Sequence, residues 1–138
     1  MSNKIRILVV EPFKEPYQIR IEHTLKNLQK VVGGLIEFVE LEHNVDLICN
    51  EEGKMYNLEL NRAIENDIIA GTFFIAGQHQ GKTISLSRKQ IKKYKKRFRL
   101  SNDKDIIEFI KGAVGNSNNL IGYDVRGIGK IIRFRAEK

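Results

Sequence analysis

Ile68-Ile69-Ala70-Gly71-Thr72-Phe73-Phe74-Ile75-Ala76-Gly77 is rich in β-branched and aromatic residues and is punctuated by glycine. Such residues favour extended backbone. An apolar run without a polar face reads as a strand with both sides buried. Ile68 to Ala76 is therefore expected as a central, buried strand.

Its neighbours follow outward along the chain. Lys4 to Val10 reads as a strand, with Ile7 to Val10 apolar throughout. Pro12 and Pro16 bracket a turn. Tyr17, Ile19 and Ile21 then alternate with Gln18 and Arg20, the period-two pattern of a half-buried strand, so a hairpin is expected. Thr24 is placed to cap a short helix whose apolar face is Leu25, Leu28 and Val32, and Gly33-Gly34 supplies its stop. Leu35 to Leu41 and Val45 to Cys49 are further strand candidates, followed by a turn at Asn50-Glu51-Glu52-Gly53. Asn57 to Ile64 stays open between a helical turn and a loop. Gly77 to Gly81 is expected as a turn and Thr83 to Leu86 as a short strand.

Ser87 opens the clearest helix, because Ser87 and Gln90 have the spacing of a capping box. Its apolar stripe is Ile91, Tyr94 and Phe98. A further helix is expected from Asp103, with Ile106, Ile107, Phe109 and Ile110 apolar, then a polar loop at Asn116 to Asn119. Alternation at Ile121, Tyr123 and Val125, and again at Ile132 and Phe134, predicts a C-terminal hairpin. The fold class is α+β: one domain, mostly antiparallel sheet, with about three helices and that hairpin. Residues 1–98 would form the core, and residues 99–138 a helix-plus-hairpin extension packed on it.

The chain has 138 residues and 41% hydrophobic content, enough for a core without staples. Its single cysteine, Cys49, has no internal partner for a disulfide, and no apolar run approaches the ~20 residues of a membrane span. A cytoplasmic protein without membrane contact is expected.

Three chemistries are weighed and set aside. Gly77-Gln78-His79-Gln80-Gly81-Lys82-Thr83 resembles a phosphate loop but is one residue short between its glycines, and a strand rather than a helix follows. A hairpin turn is the expectation there. His23, His43, His79 and Cys49 lack the close pairing of a zinc site, so no metal and no cofactor is expected. No nucleophile elbow is present, and Cys49 sits within an apolar strand pattern where a thiol is an inert small hydrophobe. No enzymatic activity is expected.

Charge is the strongest functional signal. Residues 1–69 carry 8 Lys/Arg against 12 Asp/Glu, and residues 70–138 carry 16 against 5. The net charge of +7 thus joins a half at −4 to a half at +11. Arg88, Lys89, Lys92, Lys93, Lys95, Lys96, Arg97 and Arg99 lie in one segment without an acid, and Arg133 and Arg135 add to the basic half. With Ile91, Tyr94 and Phe98 turned to the core, this charge must face outward and attract an anionic partner. Any nucleic-acid contact would be mostly to the backbone, because no aromatic residue is left on the exposed face to stack on bases. Asn50, Glu51, Asn61 and Arg62 form a second candidate, a polar ligand site; the same residue types also cap turns and helix ends.

Five stretches in order carry a family resemblance. They are Leu8-Val9-Val10-Glu11-Pro12, Val32-Gly33-Gly34-Leu35-Ile36-Glu37, Asn50-Glu51-Glu52-Gly53-Lys54, Asn61-Arg62-Ala63 and Ile68 to Gly77. Together they resemble the domain of unknown function 3846 family over roughly residues 5 to 98, with a shorter segment between Ala63 and Ile68 than is usual there. The resemblance implies an origin in phages and mobile elements and carries no catalytic residues to transfer. By that association the expected function is non-enzymatic counter-defence. The chain would inhibit a host defence component, either a protein effector such as a CRISPR nuclease or a sequestered nucleotide signal, through its basic half. The alternative is a nucleic-acid-binding accessory protein of a phage or plasmid.

Overall fold

Residues 3–64 and 67–100 are described by the computed structural model. The further helix, the polar loop and the C-terminal hairpin expected from the sequence, with Arg133 and Arg135, lie outside the described residues. Among those described are eight strands and two helices: β1 (Lys4–Val10), β2 (Tyr17–Glu22), α1 (Leu25–Val32), β3 (Ile36–Glu42), β4 (Val45–Asn50), β5 (Leu60–Ile64), β6 (Asp67–Ala70), β7 (Phe73–His79), β8 (Lys82–Ile84) and α2 (Arg88–Arg97). They make a small single domain of mostly antiparallel sheet. None of these helices is long and apolar enough to cross a membrane.

The main sheet runs β2-β1-β7-β4-β3, with β8 also paired to β7, and every pairing is antiparallel. β7 is central: Ile75 faces Leu8 of β1 on one side and Leu47 of β4 on the other. Its side chains alternate between two buried layers, which explains why the run has no polar face. Phe73 and Ile75 join Leu8, Val10 and Leu47 under Ile91 and Tyr94 of α2 and its C-cap residue Phe98. Phe74 and Ala76 join Ile7, Val9 and Ile48 under Leu28 and Val32 of α1. Burying each such large side chain contributes about 1.5–3 kcal/mol relative to leaving it exposed.

Both helices start as their sequences predict. Thr24 accepts from the Asn27 amide, and Gly33 closes α1 with its amide on the Gln29 carbonyl. Ser87 and Gln90 form the full capping box of α2. The β1–β2 hairpin is also present, in register from Lys4 opposite Glu22 to Val9 opposite Tyr17.

Three expectations change. Ile68 to Ala76 is buried as expected, apart from half-buried Thr72, but it is two strands rather than one. The break is at Gly71, whose φ of 84° turns the chain and whose amide donates to the Glu59 carbonyl. β6 leaves the main sheet and pairs instead with β5 in a separate two-stranded ribbon. Within the ambiguous segment Asn57 to Ile64, Asn57 to Glu59 are turn and loop, and Leu60–Ile64 form that partner strand. Finally, β7 continues to His79, so the turn narrows to Gln80-Gly81, both at positive φ as a two-residue hairpin loop requires. The Gly77–Thr83 segment is therefore the β7–β8 hairpin, with His79 opposite Lys82, and not a phosphate loop.

Candidate functional site

α2 lies on the Phe73 side of the sheet, held by three buried side chains. Phe98 meets Phe73 edge-on at 5.3 Å between ring centres and stacks on Tyr94 at 6.3 Å. That anchoring fixes which way the charge faces. Arg88, Lys89, Lys92, Lys93, Lys95, Lys96, Arg97 and Arg99 are all exposed. Helical spacing sorts the seven within α2 into two rows, Arg88-Lys92-Lys95 and Lys89-Lys93-Lys96-Arg97, and Arg99 lies just past the helix end. Cations four residues apart in a row rise about 6 Å along the axis.

The eight are not equivalent. Lys93 Nζ bonds Glu42 of β3 at 2.7 Å, and Arg97 Nη2 bonds the Ala63 carbonyl of β5 at 2.9 Å while its guanidinium lies over the Phe98 ring. Hydrogen bonds from Lys93 and then Tyr94 hold the Glu42 carboxyl below its ordinary range. Burial, and then Glu42, push the Tyr94 phenol up. Lys93 and Arg97 thus clamp the helix to the sheet edge and the ribbon. Lys96 and Arg99 are also engaged. Arg88, Lys89, Lys92 and Lys95 have no partner among the described residues, so theirs are the charges presented to solvent.

The polar cluster of Asn50, Glu51, Asn61 and Arg62 does not converge. Asn50 donates from Nδ2 to the Val32 carbonyl and accepts from the Glu52 amide, closing the turn after β4. Glu51 is exposed, its amide bonded to the Leu35 carbonyl. Gly53 brings this turn against β6, where a Cβ would sit 2.6 Å from the Ala70 carbonyl oxygen, and Lys54 pairs with Asp67.

Asn61 and Arg62 are buried, 3% and 0% exposed. Asn61 Nδ2 donates to the Val10 and Gly71 carbonyls, both at 2.8 Å. Arg62 donates from Nε to Phe98 O at 2.8 Å, from Nη2 to Lys14 O at 2.6 Å, and from Nη1 to Asn61 Oδ1 at 2.9 Å. The pair ties the β1–β2 loop, the ribbon and the end of α2 together, which is the helix-capping role those residue types also allow.

Cys49 is 4% exposed on β4, and burial, then Glu37 and Asp67, push its thiol up to about 12. The thiolate is the reactive form. Folded protein should therefore resist iodoacetamide at pH 8 and be labelled only once unfolded; mass spectrometry with and without urea checks this. No group of three or more His, Cys, Asp or Glu side chains able to hold a metal occurs among the described residues.

The family model "Domain of unknown function (DUF3846)" matches residues 5–99. The chain belongs to that family. Apart from Lys4 at the start of β1, the matched span takes in every described strand and both helices. No curated protein and no solved structure matches the chain.

Proposed function

We propose that this chain is a non-enzymatic binding protein that holds an anionic partner on the outer face of α2. The observation carrying this is the placement of Arg88 and Lys89. Both occupy the first turn, which has no acid, and the helix dipole disfavours cations there. Stability would favour acids at those positions, and the remaining solvent-facing cations, Lys92 and Lys95, lie in the same row as Arg88. Regularly spaced cations without protein partners suit a phosphodiester backbone or an acidic protein surface. In the setting the family resemblance implies, a phage or mobile element, this face would engage and block a host defence component. A nucleic-acid-binding accessory protein would use the same face.

The test is the triple variant Arg88→Glu, Lys89→Glu, Lys92→Glu. Exposed charges contribute little to stability, and acids in a first turn favour the helix, so its melt should match the parent's. Lys93 and Lys96 are left alone because reversing Lys93 would set two carboxylates together at Glu42. Binding to duplex DNA, RNA and polyglutamate is measured by anisotropy between about 50 and 200 mM salt. The preferred polyanion should be lost, and the salt slope for duplex DNA should flatten by about 0.9 for each phosphate contact removed. Unchanged affinity and slope would remove α2 from the mechanism.

A further inference from the structure

A cleft of about 450 Å³ opens at the end of the main sheet where β1 and β4 finish and β7 begins, beside the last turn of α1. That volume falls within the usual range for small-molecule sites. Four of the five stretches that carry the family resemblance each give the cleft a residue: Pro12, Gly33, Asn50 and Thr72. The fifth lies behind it, through the bonds of Asn61 to the Val10 and Gly71 carbonyls. These stretches are scattered from residue 8 to residue 77, and the fold gathers them in one place.

The lining has a definite chemistry. Tyr56 contributes an aromatic ring that is 64% exposed and so open to stacking. Val31 and Leu58 add apolar wall. Lys30, Tyr56 and Thr72 all line the cleft, and their side chains have no hydrogen-bond or ion-pair partner among the described residues. Glu59 is a further lining residue and is itself engaged by the protein. The two loops beside it are held at Phe13 (φ 63°) and Asn57 (φ 57°), a backbone region that side chains such as phenylalanine rarely enter.

A ligand matching this set needs a flat ring for Tyr56, donors and acceptors at its edge, and an anion for Lys30. We propose that the cleft binds a nucleotide unit, with the base against Tyr56 and the phosphate on Lys30. The unit is either a free nucleotide or one residue of a single strand, and the two share this chemistry. The site is separate from α2.

Isothermal titration with AMP, CMP, GMP, UMP, the four nucleosides and a ten-residue oligothymidylate tests the proposal. The expected result is saturable one-to-one binding by at least one nucleotide or by the strand. Binding should weaken about tenfold or more on Tyr56→Ala, the size of a lost base–aromatic stack. Lys30→Ala should weaken nucleotide binding and leave nucleoside binding unchanged. Both residues are exposed, so both variants should melt like the parent. The α2 triple variant should bind mononucleotides as the parent does, which keeps this result distinct from the test of α2. Saturation by the monophosphates identifies a free nucleotide as the source, and saturation by the oligomer alone identifies a strand. No saturation below about 1 mM with any probe, or binding indifferent to both Tyr56→Ala and Lys30→Ala, would overturn the proposal.

Discussion

Phe74→Ala should destabilise the protein by about 3–5 kcal/mol, and Phe73→Ala by a similar amount. Both rings are fully buried on the central strand, but on opposite faces. Phe74 stands between Val9 of β1 and Ile48 of β4 and packs under α1. Removing it leaves a cavity that β7 is poorly able to collapse, because β7 is paired on both sides. Phe73 packs on the other face against Phe98, so its loss also loosens α2. Urea denaturation of each variant, with the slope unchanged, measures the effect. A melt within about a degree of the parent for either variant would mean that one face of β7 is not packed as described. Only Phe73→Ala should in addition reduce the helical signal of α2 below the main transition.

The sequence made some elements legible and hid others, for physical reasons. β1, β2, α1 and α2 could be read because their local signals agree with their tertiary setting. Tyr17 to Ile21 alternates, Thr24 and Gly33 cap, and Ser87 pairs with Gln90. The break at Gly71 was hidden because the residues on either side, Ile68-Ile69-Ala70 and Phe73-Phe74-Ile75, are equally suited to a strand. The positive φ of Gly71 and its long-range bonds, from its amide to the Glu59 carbonyl and from Asn61 to its own carbonyl, turn one run into two strands. β5 was hidden because its buried face carries Asn61 and Arg62, which break the apolar alternation that marks a strand.

The candidate site divides in the same way. The basic face of α2 was legible from composition and helical period. Which of its cations are committed was not, since Glu42 and the Ala63 carbonyl lie some fifty and thirty-five residues away. The cleft beside α1 was also illegible. Tyr56 and Lys30 carry no local signal, and only folding sets them around one space with Thr72.

Arg62→Met should cost about 3–5 kcal/mol, because three close hydrogen-bond acceptors lose their donor at once. Methionine keeps the apolar stem and deletes the guanidinium. The acceptors left behind include the carbonyls of Phe98 and Lys14 and the Asn61 side-chain oxygen, with the Glu11 carbonyl at a longer 3.4 Å. Each buried acceptor left unmet costs about 1–3 kcal/mol. Arg62→Lys should fall between the parent and the methionine variant, because one ammonium cannot reach acceptors on three separate elements as the planar fork does. The Asn61→Ala and Arg62→Met changes should couple when combined, since they share the bond from Nη1 to Oδ1. Chemical denaturation of the two single variants and the double measures all three statements. The same experiment separates the structural role from a ligand-binding one. An arginine kept for a ligand could be replaced with little change in stability and a loss of binding. Here the expected order is reversed: the folded state weakens first, and the melting temperature falls by roughly 10 °C or more. An Arg62→Met protein that melts with the parent would return Asn61 and Arg62 to the ligand site.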